Sequence, residues 1–211
     1  MILAAVGILR EARIVQGPHI NAVAGGGRSD LLLERLAAAA PGATGVLSIG
    51  LGGALDPQLA VGDVVIASEV IGDGRWPTDE AWSDRLATAL PEARRAVAYG
   101  SDKMILKAAD KAILHAETGA ALADMESHVA ARFSAGRGLP LTVVRVVSDA
   151  AFTDLPRAVT CGLTPDGGMN LMGVLAALAA DPKQLPALIR AGRDAETAFR
   201  ALQALAPRLT P

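Results

Sequence analysis

Short apolar runs alternate with longer segments of helical periodicity along the chain. Runs rich in valine and isoleucine predict strands, and segments rich in alanine and leucine predict helices. This alternation is typical of an α/β domain whose sheet is covered on both faces. The predicted strands are 2–7, 21–25, 45–50, 62–67, 94–99 and 141–148, and the predicted helices are 29–39, 79–90, 103–115, 126–136, 169–180 and 184–206.

No internal repeat and no linker rich in proline, glycine or serine divides the 211 residues. A chain of this length can bury about 70% of its unfolded surface around one core, so we expect residues 1–211 to form a single domain. Polar start signals at Ser29-Asp30 and Ser101-Asp102 predict the beginnings of two helices. The segment 72–78, "GDGRWPT", is either a flexible surface lid or a plain exposed turn.

The composition limits which binding partners and which cellular compartment we expect for this chain. The chain carries 20 Lys and Arg against 22 Asp and Glu, with a net charge of -2 and no long run of one sign. This balance argues against a nucleic-acid partner and favours a small or neutral ligand. A single cysteine, Cys161, excludes an internal disulfide and fits a cytoplasmic protein with a buried or incidental thiol.

Two apolar segments raise the question of a membrane. The start "MILAAVGIL" has no basic region before it and is interrupted by "REAR", so it predicts a buried strand rather than a signal sequence. The run "MNLMGVLAALAA", residues 169–180, is shorter than the ~20 residues that cross a bilayer. It predicts a core helix, with a transient membrane-surface contact as the alternative.

Candidate chemistry lies where the predicted strands end, because loops gather at the carboxyl ends of strands in an α/β sheet. "AGGGRSD", residues 24–30, precedes a predicted helix and includes Gly27 and Arg28. It predicts either an anion cradle or a tight turn. "GLGGA", residues 50–54, permits either a ligand against the backbone or close packing of a strand on a helix.

Two acidic residues stand at the edges of apolar elements. Asp149 ends the run "LTVVRVVS", where partial burial raises a carboxyl pKa and permits general-acid work. The alternative is a helix cap or a partner for Arg145. Glu126 opens a predicted helix, so it either complements the helix dipole or binds two sugar hydroxyls. Spacing does not decide between these alternatives.

Other common catalytic patterns are missing from the sequence. His19, His115 and His128 are scattered and form no HxxxH or HxH pair, which argues against a metal site. The chain also has no GxSxG elbow of a serine hydrolase.

Three stretches, in this order, resemble the nucleoside phosphorylase family, which includes purine nucleoside phosphorylases and methylthioadenosine/S-adenosylhomocysteine nucleosidases. They are "SIGLGGALDPQLAVGDVVIAS" at 48–68, "DMESHVAARF" at 124–133 and "VVRVVSDAA" at 143–151. The resemblance implies a three-layer α/β/α fold with a mixed central sheet. It also implies an enzyme that cleaves the N-glycosidic bond of a nucleoside through a transition state with oxocarbenium character.

The resemblance also implies roles for individual residues. Asp149 matches the acid that protonates or hydrogen-bonds purine N7, and Glu126 matches the glutamate that holds the ribose hydroxyls. The remaining matches are Met125 beneath the sugar and Gly52, Gly53, Ser148 and Phe152 around the base. A leaving base needs a proton and a cationic sugar needs negative charge nearby, so the implied roles agree with the residue types.

The nucleophile is less well defined by the resemblance. Glu11 lies near the water-activating glutamate of the nucleosidases, but its neighbour is Ala12, so the match is displaced by one residue. Gly27 with Arg28, and Arg13 as a second choice, would hold inorganic phosphate. We therefore expect phosphate as the co-substrate, with hydrolysis by water that Glu11 activates as the alternative, and no other cofactor.

The start "GILREARIV" and the middle stretch "ADMESHVAARF" look most like those of hopanoid-associated phosphorylases, short bacterial members of the family. Such proteins are taken to remove adenine from adenosylhopane. The resemblance therefore implies an adenine nucleoside with a bulky, lipid-linked 5′ group, for which Leu51 and helix 169–180 would supply an apolar surface. The alternatives are a general methylthioadenosine nucleosidase and a non-catalytic nucleoside-binding module. Family members assemble as homo-oligomers, and we expect a dimer.

Overall fold

One mixed sheet of eight strands organises the part of the chain that the structure describes, and helices cover both of its faces. The computed structural model describes residues 1–162, 164, 168 and 170–209. The strands are β1 (Ile2–Val6), β2 (Ile20–Ala24), β3 (Gly45–Ala54), β4 (Val64–Ile71), β5 (Arg75–Pro77), β6 (Arg94–Gly100), β7 (Leu122–Asp124) and β8 (Leu141–Asp149). The helices are α1 (Leu9–Val15), α2 (Ser29–Ala39), α3 (Glu80–Ala89), α4 (Ala108–Thr118), α5 (Ser127–Arg137), α6 (Leu171–Ala180) and α7 (Leu185–Leu205), with short 3-10 helices at Arg157–Cys161, Pro182–Gln184 and Ala206–Arg208.

Strand pairing brings several strand ends to one place. Strand β1 pairs in parallel with β2 and β3, and β3 pairs in parallel with β8. Strand β8 runs antiparallel to β4, β4 runs parallel to β6, and β6 runs parallel to β7. The end of β3 then pairs antiparallel with β7, which closes a ring of five strands. The carboxyl ends of β3 and β8 therefore meet beside β7.

Apolar side chains fill the space on both faces of the sheet. One cluster lies under α2 and α5 and includes Leu32, Leu36, Val129 and Phe133. The other lies under α1, α3 and α7 and includes Trp82, Leu86, Phe199 and Leu202. Because these five helices bury apolar side chains against the sheet, the result is the α/β/α arrangement with a mixed sheet that the sequence predicted.

The sequence pattern missed three short elements. Helix α1 has seven residues and lies within "GILREARIV", and β7 has only three residues. Neither is long enough to show a helical or strand period. Strand β5 occupies 75–77, inside the segment predicted as a lid or turn, and pairs antiparallel with β4.

The predicted helix 103–115 begins five residues too early, because α4 starts at Ala108. Asp102 is not its cap: the Asp102 carboxylate accepts hydrogen bonds from Ser29 and from His128 Nε2, the latter at 3.0 Å. The N–H of Ala108 instead donates to Asp154 Oδ1 at 2.8 Å. The prediction of a helix start at Ser101-Asp102 is therefore wrong, because Asp102 serves tertiary contacts instead.

Helix α6 begins at Leu171, and the predicted start at 169 falls outside the described residues. The prediction of a core helix is wrong, because none of the α6 side chains that the structure describes is buried. Met172, Leu175, Ala176 and Ala179 form an exposed apolar stripe along the helix. Among the described helices, none combines the length and apolarity needed to span a bilayer. Cys161 is exposed.

Candidate active site

A register shift in the β3–β8 ladder positions the candidate acid. Between Gly52 and Gly53 the ladder slips by one residue, so that Gly53 pairs with Asp149. A Cβ added at Gly53 would lie 2.9 Å from Asp149 Oδ2, closer than ordinary packing permits. The glycine therefore allows the carboxyl group to lie against the backbone of β3.

Asp149 is buried and held by two side chains. Ser148 Oγ donates to Asp149 Oδ1 at 2.7 Å and is 3.2 Å from the carbonyl oxygen of Gly52. The Lys111 ammonium contacts Asp149 Oδ2. Neither alternative from the sequence holds, since no described helix begins at Asp149 and Arg145 pairs elsewhere.

Sequence reasoning missed Lys111. It lies on α4, its side chain is only 1% exposed, and its ammonium also donates to the carbonyl oxygens of Ala150 at 3.0 Å and Thr153 at 3.2 Å. Lysine is almost never fully buried unless it is paired. The one feature of the sequence that could have indicated its burial is helical spacing. Lys111 lies on the same helix face as Leu114 and His115, which follow it by three and four residues.

Arg145 is the centre of a second buried group, with all contacts made through Nη2. It donates to Ser48 Oγ at 2.7 Å and to Asp124 Oδ1 at 3.0 Å, and lies 3.5 Å from Glu126 Oε2. Asp124 Oδ1 also accepts from the N–H groups of Glu126 at 2.8 Å and Ser127 at 2.6 Å. Asp124, rather than Glu126, thus satisfies the first N–H groups of α5.

The Glu126 side chain makes no capping hydrogen bond to α5 and is buried. Burial raises the pKa of Glu126 to about 8, aided by repulsion from Asp124 and Glu11 and opposed by Arg145. The helix-dipole explanation of Glu126 is therefore weakened, because its carboxyl group points toward the arginine and the other acids. Met125, beside it, is half-buried.

Glu11 lies beside Glu126. Its Oε2 accepts hydrogen bonds from the N–H groups of Gly7 at 2.7 Å and Ile8 at 2.9 Å, and its Oε1 accepts from Leu51 at 2.9 Å. Burial raises the pKa of Glu11, against the lowering effects of these bonds and of Arg145. A Cβ at Gly7 would lie 2.9 Å from Glu126 Oε1 and 3.1 Å from Glu11 Oε2, so this glycine fits between two acids.

The glycine run of β3 separates the two groups of acids. A Cβ at Gly50 would lie 2.6 Å from Glu11 Oε1 and 2.9 Å from Arg145 Nη1, whereas Gly53 faces Asp149. The sequence predicted that the stretches containing these residues share one site. In the structure, the predicted residues that lie around β3 are Glu11, Glu126, Asp149, Ser148 and the glycines. Phe152 lies apart from this packing, with 75% of its surface exposed.

The candidate phosphate residues are not drawn into this group. Gly26 and Gly27 adopt positive φ, of 65° and 71°, and the Gly26 N–H donates to the Gly7 carbonyl oxygen at 2.7 Å. The glycine turn therefore packs against the Glu11 loop. The Arg28 guanidinium, however, pairs with Asp30 in solvent, and Arg13 is exposed on α1.

Two open grooves lie elsewhere and include none of these residues. One, of about 480 Å³, lies along β2 between α1 and α2, and the other, of about 210 Å³, lies between β6 and α4. Within the described part of the chain, no three side chains of His, Cys, Asp or Glu are grouped as a metal site would require.

Known proteins share a family and a fold with this chain. A family model described as the phosphorylase superfamily matches residues 14–161. The fold is similar to that of Neisseria meningitidis 5′-methylthioadenosine/S-adenosylhomocysteine nucleosidase in complex with methylthio-immucillin-A, with 14% identity, a TM-score of 0.69, and coverage of 99% of this chain and 97% of that chain. No protein of curated function matches the sequence.

Two structures from Helicobacter pylori are also similar. The methylthioadenosine nucleosidase mutant with 5′-methylthioadenosine in the active site has 15% identity and a TM-score of 0.65, and covers 98% of this chain and 97% of that chain. Futalosine hydrolase of strain 26695 has 16% identity and a TM-score of 0.62, and covers 70% of this chain and 87% of that chain. At identities this low, the structural similarities show the fold alone. The family match extends over most of the chain. The chain belongs to the phosphorylase superfamily and is an enzyme of the nucleoside phosphorylase or nucleosidase type.

Proposed function

We propose that the enzyme cleaves the N-glycosidic bond of an adenine nucleoside and releases adenine. The observation that carries this proposal is the placing of acids at both ends of one glycine run, with Glu11 at Gly50 and Asp149 at Gly53. Three residues of extended strand span about 10 Å. One nucleoside, with its base and its ribose as two linked rings, fits this separation when the base lies toward Asp149 and the ribose toward Glu126.

The base departs from the Asp149 end of the site. Cleavage leaves the bonding electron pair on the base, and a proton at N7 lets the base leave neutral. Asp149 supplies that proton or hydrogen bond, and Ser148 orients its carboxyl group. General-acid assistance of this kind typically contributes about 10²–10⁴-fold to the rate.

The ribose is held at the other end, where three buried carboxyl groups surround one guanidinium. Glu126 accepts hydrogen bonds from the ribose hydroxyls, while Asp124 and Arg145 fix its position. Positive charge develops on the sugar as the bond to the base breaks. Fixed negative charge in a site that excludes water stabilises such a transition state strongly.

Water is the nucleophile in this proposal, which departs from the expectation of phosphate. Arg28 is neutralised by Asp30 and Arg13 is exposed. Arg145 keeps Nε and Nη1 without a hydrogen-bond partner in the described part of the chain, but it lies among the carboxyl groups of Asp124, Glu126 and Glu11. A phosphate dianion beside Glu11 and Glu126 would face like charges, and these carboxyl groups already offset the charge of Arg145. Glu11 Oε1 accepts one backbone hydrogen bond only, so it retains a lone pair with which to take a proton from water.

The finer proposal is an apolar 5′ substituent, of which the lipid tail of adenosylhopane is one example. It is supported by Leu51, whose apolar side chain stands in the glycine run, and by two exposed apolar features, Phe152 and the stripe on α6. A general methylthioadenosine nucleosidase differs from this enzyme only in that substituent, and the two similar nucleosidase structures carry methylthio ligands.

The test is release of free base from adenosine, methylthioadenosine, inosine and a 5′-alkyl adenosine, each with and without inorganic phosphate. The proposal predicts free adenine without phosphate, with the 5′-alkyl adenosine as the best substrate. Dependence on phosphate, together with a ribose 1-phosphate product, would show that phosphate rather than water is the nucleophile. Binding of nucleosides without release of base would instead identify a non-catalytic module.

A further inference from the structure

Lys111 is a fully buried cation in direct contact with the proposed acid. Its side chain is 1% exposed, and its three ammonium N–H groups meet three acceptors, namely Asp149 Oδ2 and the carbonyl oxygens of Ala150 and Thr153. An ammonium group has three donors and no acceptor, so Lys111 has no hydrogen bond left for another partner. All three contacts fall within the five residues that end β8 and begin the following turn.

Stability alone is a weak reason for this arrangement. Burying a lysine and an aspartate removes both charges from water, and replacing such a pair by apolar side chains is often neutral or stabilising. The turn that follows Asp149 already has a backbone hydrogen bond of its own, from the Thr153 N–H to the Ala150 carbonyl oxygen at 3.1 Å. The charge on Lys111 therefore acts more directly on the Asp149 carboxyl group that it contacts.

We propose that Lys111 is a positioning residue for the acid, one that fixes Asp149 Oδ2 and balances the charge on the carboxylate after its proton has left. This inference rests on the proposed function. In the step concerned, the bond between the ribose C1′ and the base breaks and its electron pair passes to the base. The proton of Asp149 moves to N7, and a water oxygen bonds to C1′ while Glu11 accepts the water's proton. Asp149 is then a carboxylate between Lys111 and Ser148.

A leaving-group experiment separates this role from a merely structural one. Adenosine needs a proton on its base, whereas 4-nitrophenyl riboside releases a stable phenolate without one. We expect Lys111→Met to lower kcat for adenosine about ten- to a hundredfold, part of the effect of a general acid, and to change kcat for the nitrophenyl riboside less than about twofold. The matched control is Lys107→Met on the same helix region, because Lys107 pairs with Asp154 at the surface, and it should change neither rate.

A double-mutant cycle provides the second readout. If Lys111 acts through Asp149, adding Lys111→Met to Asp149→Asn should slow adenosine cleavage no further. Lys111→Gln, which keeps hydrogen-bond donors but removes the charge, serves if the methionine variant does not fold, and should show the same dependence on the leaving group. Equal losses for both substrates, or losses that multiply in the double variant, would overturn the proposed role of Lys111 and leave the proposed function standing. A wild-type enzyme that cleaves neither substrate would overturn the proposed function as well.

Discussion

Arg145 and Asp124 form a buried ion pair, with 3.0 Å between Nη2 and Oδ1, and the same carboxylate oxygen satisfies the first N–H groups of α5. The pair therefore joins the strand that ends in Asp149 to the helix that begins after Glu126. A single contact sets the positions of both candidate acids relative to each other. Its removal should affect folding as well as activity.

Arg145→Met should lower the free energy of unfolding by about 3–5 kcal/mol, because it leaves Asp124 buried without its partner. Urea unfolding followed by circular dichroism measures this change. The matched control is Arg132→Met, since the Arg132–Asp73 pair is exposed on both sides and such pairs contribute about 1 kcal/mol or less. Equal losses in the two variants would show that the buried pair has no special role in stability.

The raised pKa of Glu126 predicts a specific dependence of stability on pH. The carboxyl group titrates near 4.5 in the unfolded chain and at about 8 in the folded one, so the folded state binds an additional proton between these values. Its contribution to stability is fully present below pH 4.5 and is lost as the pH rises through about 8. In Glu126→Gln this loss should disappear, so that the variant gains stability relative to the wild type across that window.

Unfolding experiments at several pH values test this sign directly. Glu11 also has a raised pKa and interacts with Glu126, so the comparison is repeated in a Glu11→Gln background, where the difference isolates Glu126. A difference that stays constant over the window, or that favours the wild type as the pH rises, would contradict the assignment of a buried, protonated Glu126.

Glu126→Gln should also discriminate between sugars. Above pH 8, where Glu126 is a carboxylate, loss of its charge-assisted hydrogen bond costs about 1.5–3 kcal/mol, which corresponds to roughly a ten- to a hundredfold loss in kcat/KM for ribonucleosides. The 2′-deoxy analogues, which lack one of the hydroxyls, should lose far less. Equal losses with adenosine and 2′-deoxyadenosine would argue that Glu126 does not bind the ribose.

Gly53→Ala should reduce turnover by displacing the acid, because the new Cβ would lie 2.9 Å from Asp149 Oδ2. Gly136→Ala is the matched control: Gly136 lies exposed within α5, where a Cβ would meet nothing within 4 Å. Steady-state kinetics should show reduced kcat for the first variant and unchanged kcat for the second. Normal activity of Gly53→Ala would show that Asp149 tolerates a different position.

The sequence predicted the main strands and most helices from their apolar periodicity, and it placed Asp149 at the end of the apolar run that forms β8. The catalytic roles of Asp149 and Glu126 stay predictions. The sequence could not identify Lys111, whose partner Asp149 is 38 residues away and whose helix reads as an ordinary surface helix. The suggested pairing of Arg145 with Asp149 was also wrong. It rested on spacing along one strand, whereas the ring of strands brings Asp124 to Arg145. The Asp102 signal failed for the same reason, because its partners Ser29 and His128 come from distant elements.

Chromatographic detection of adenine released from adenosine and from a 5′-alkyl adenosine, by wild-type enzyme and by Asp149→Asn, tests the central claim most directly. The wild type should release adenine, and the variant, still folded by circular dichroism, should be slower by about 10²–10⁴-fold at saturating substrate. Absence of adenine from every nucleoside with the wild type, or an Asp149→Asn variant that retains more than half of the wild-type rate, would contradict that claim.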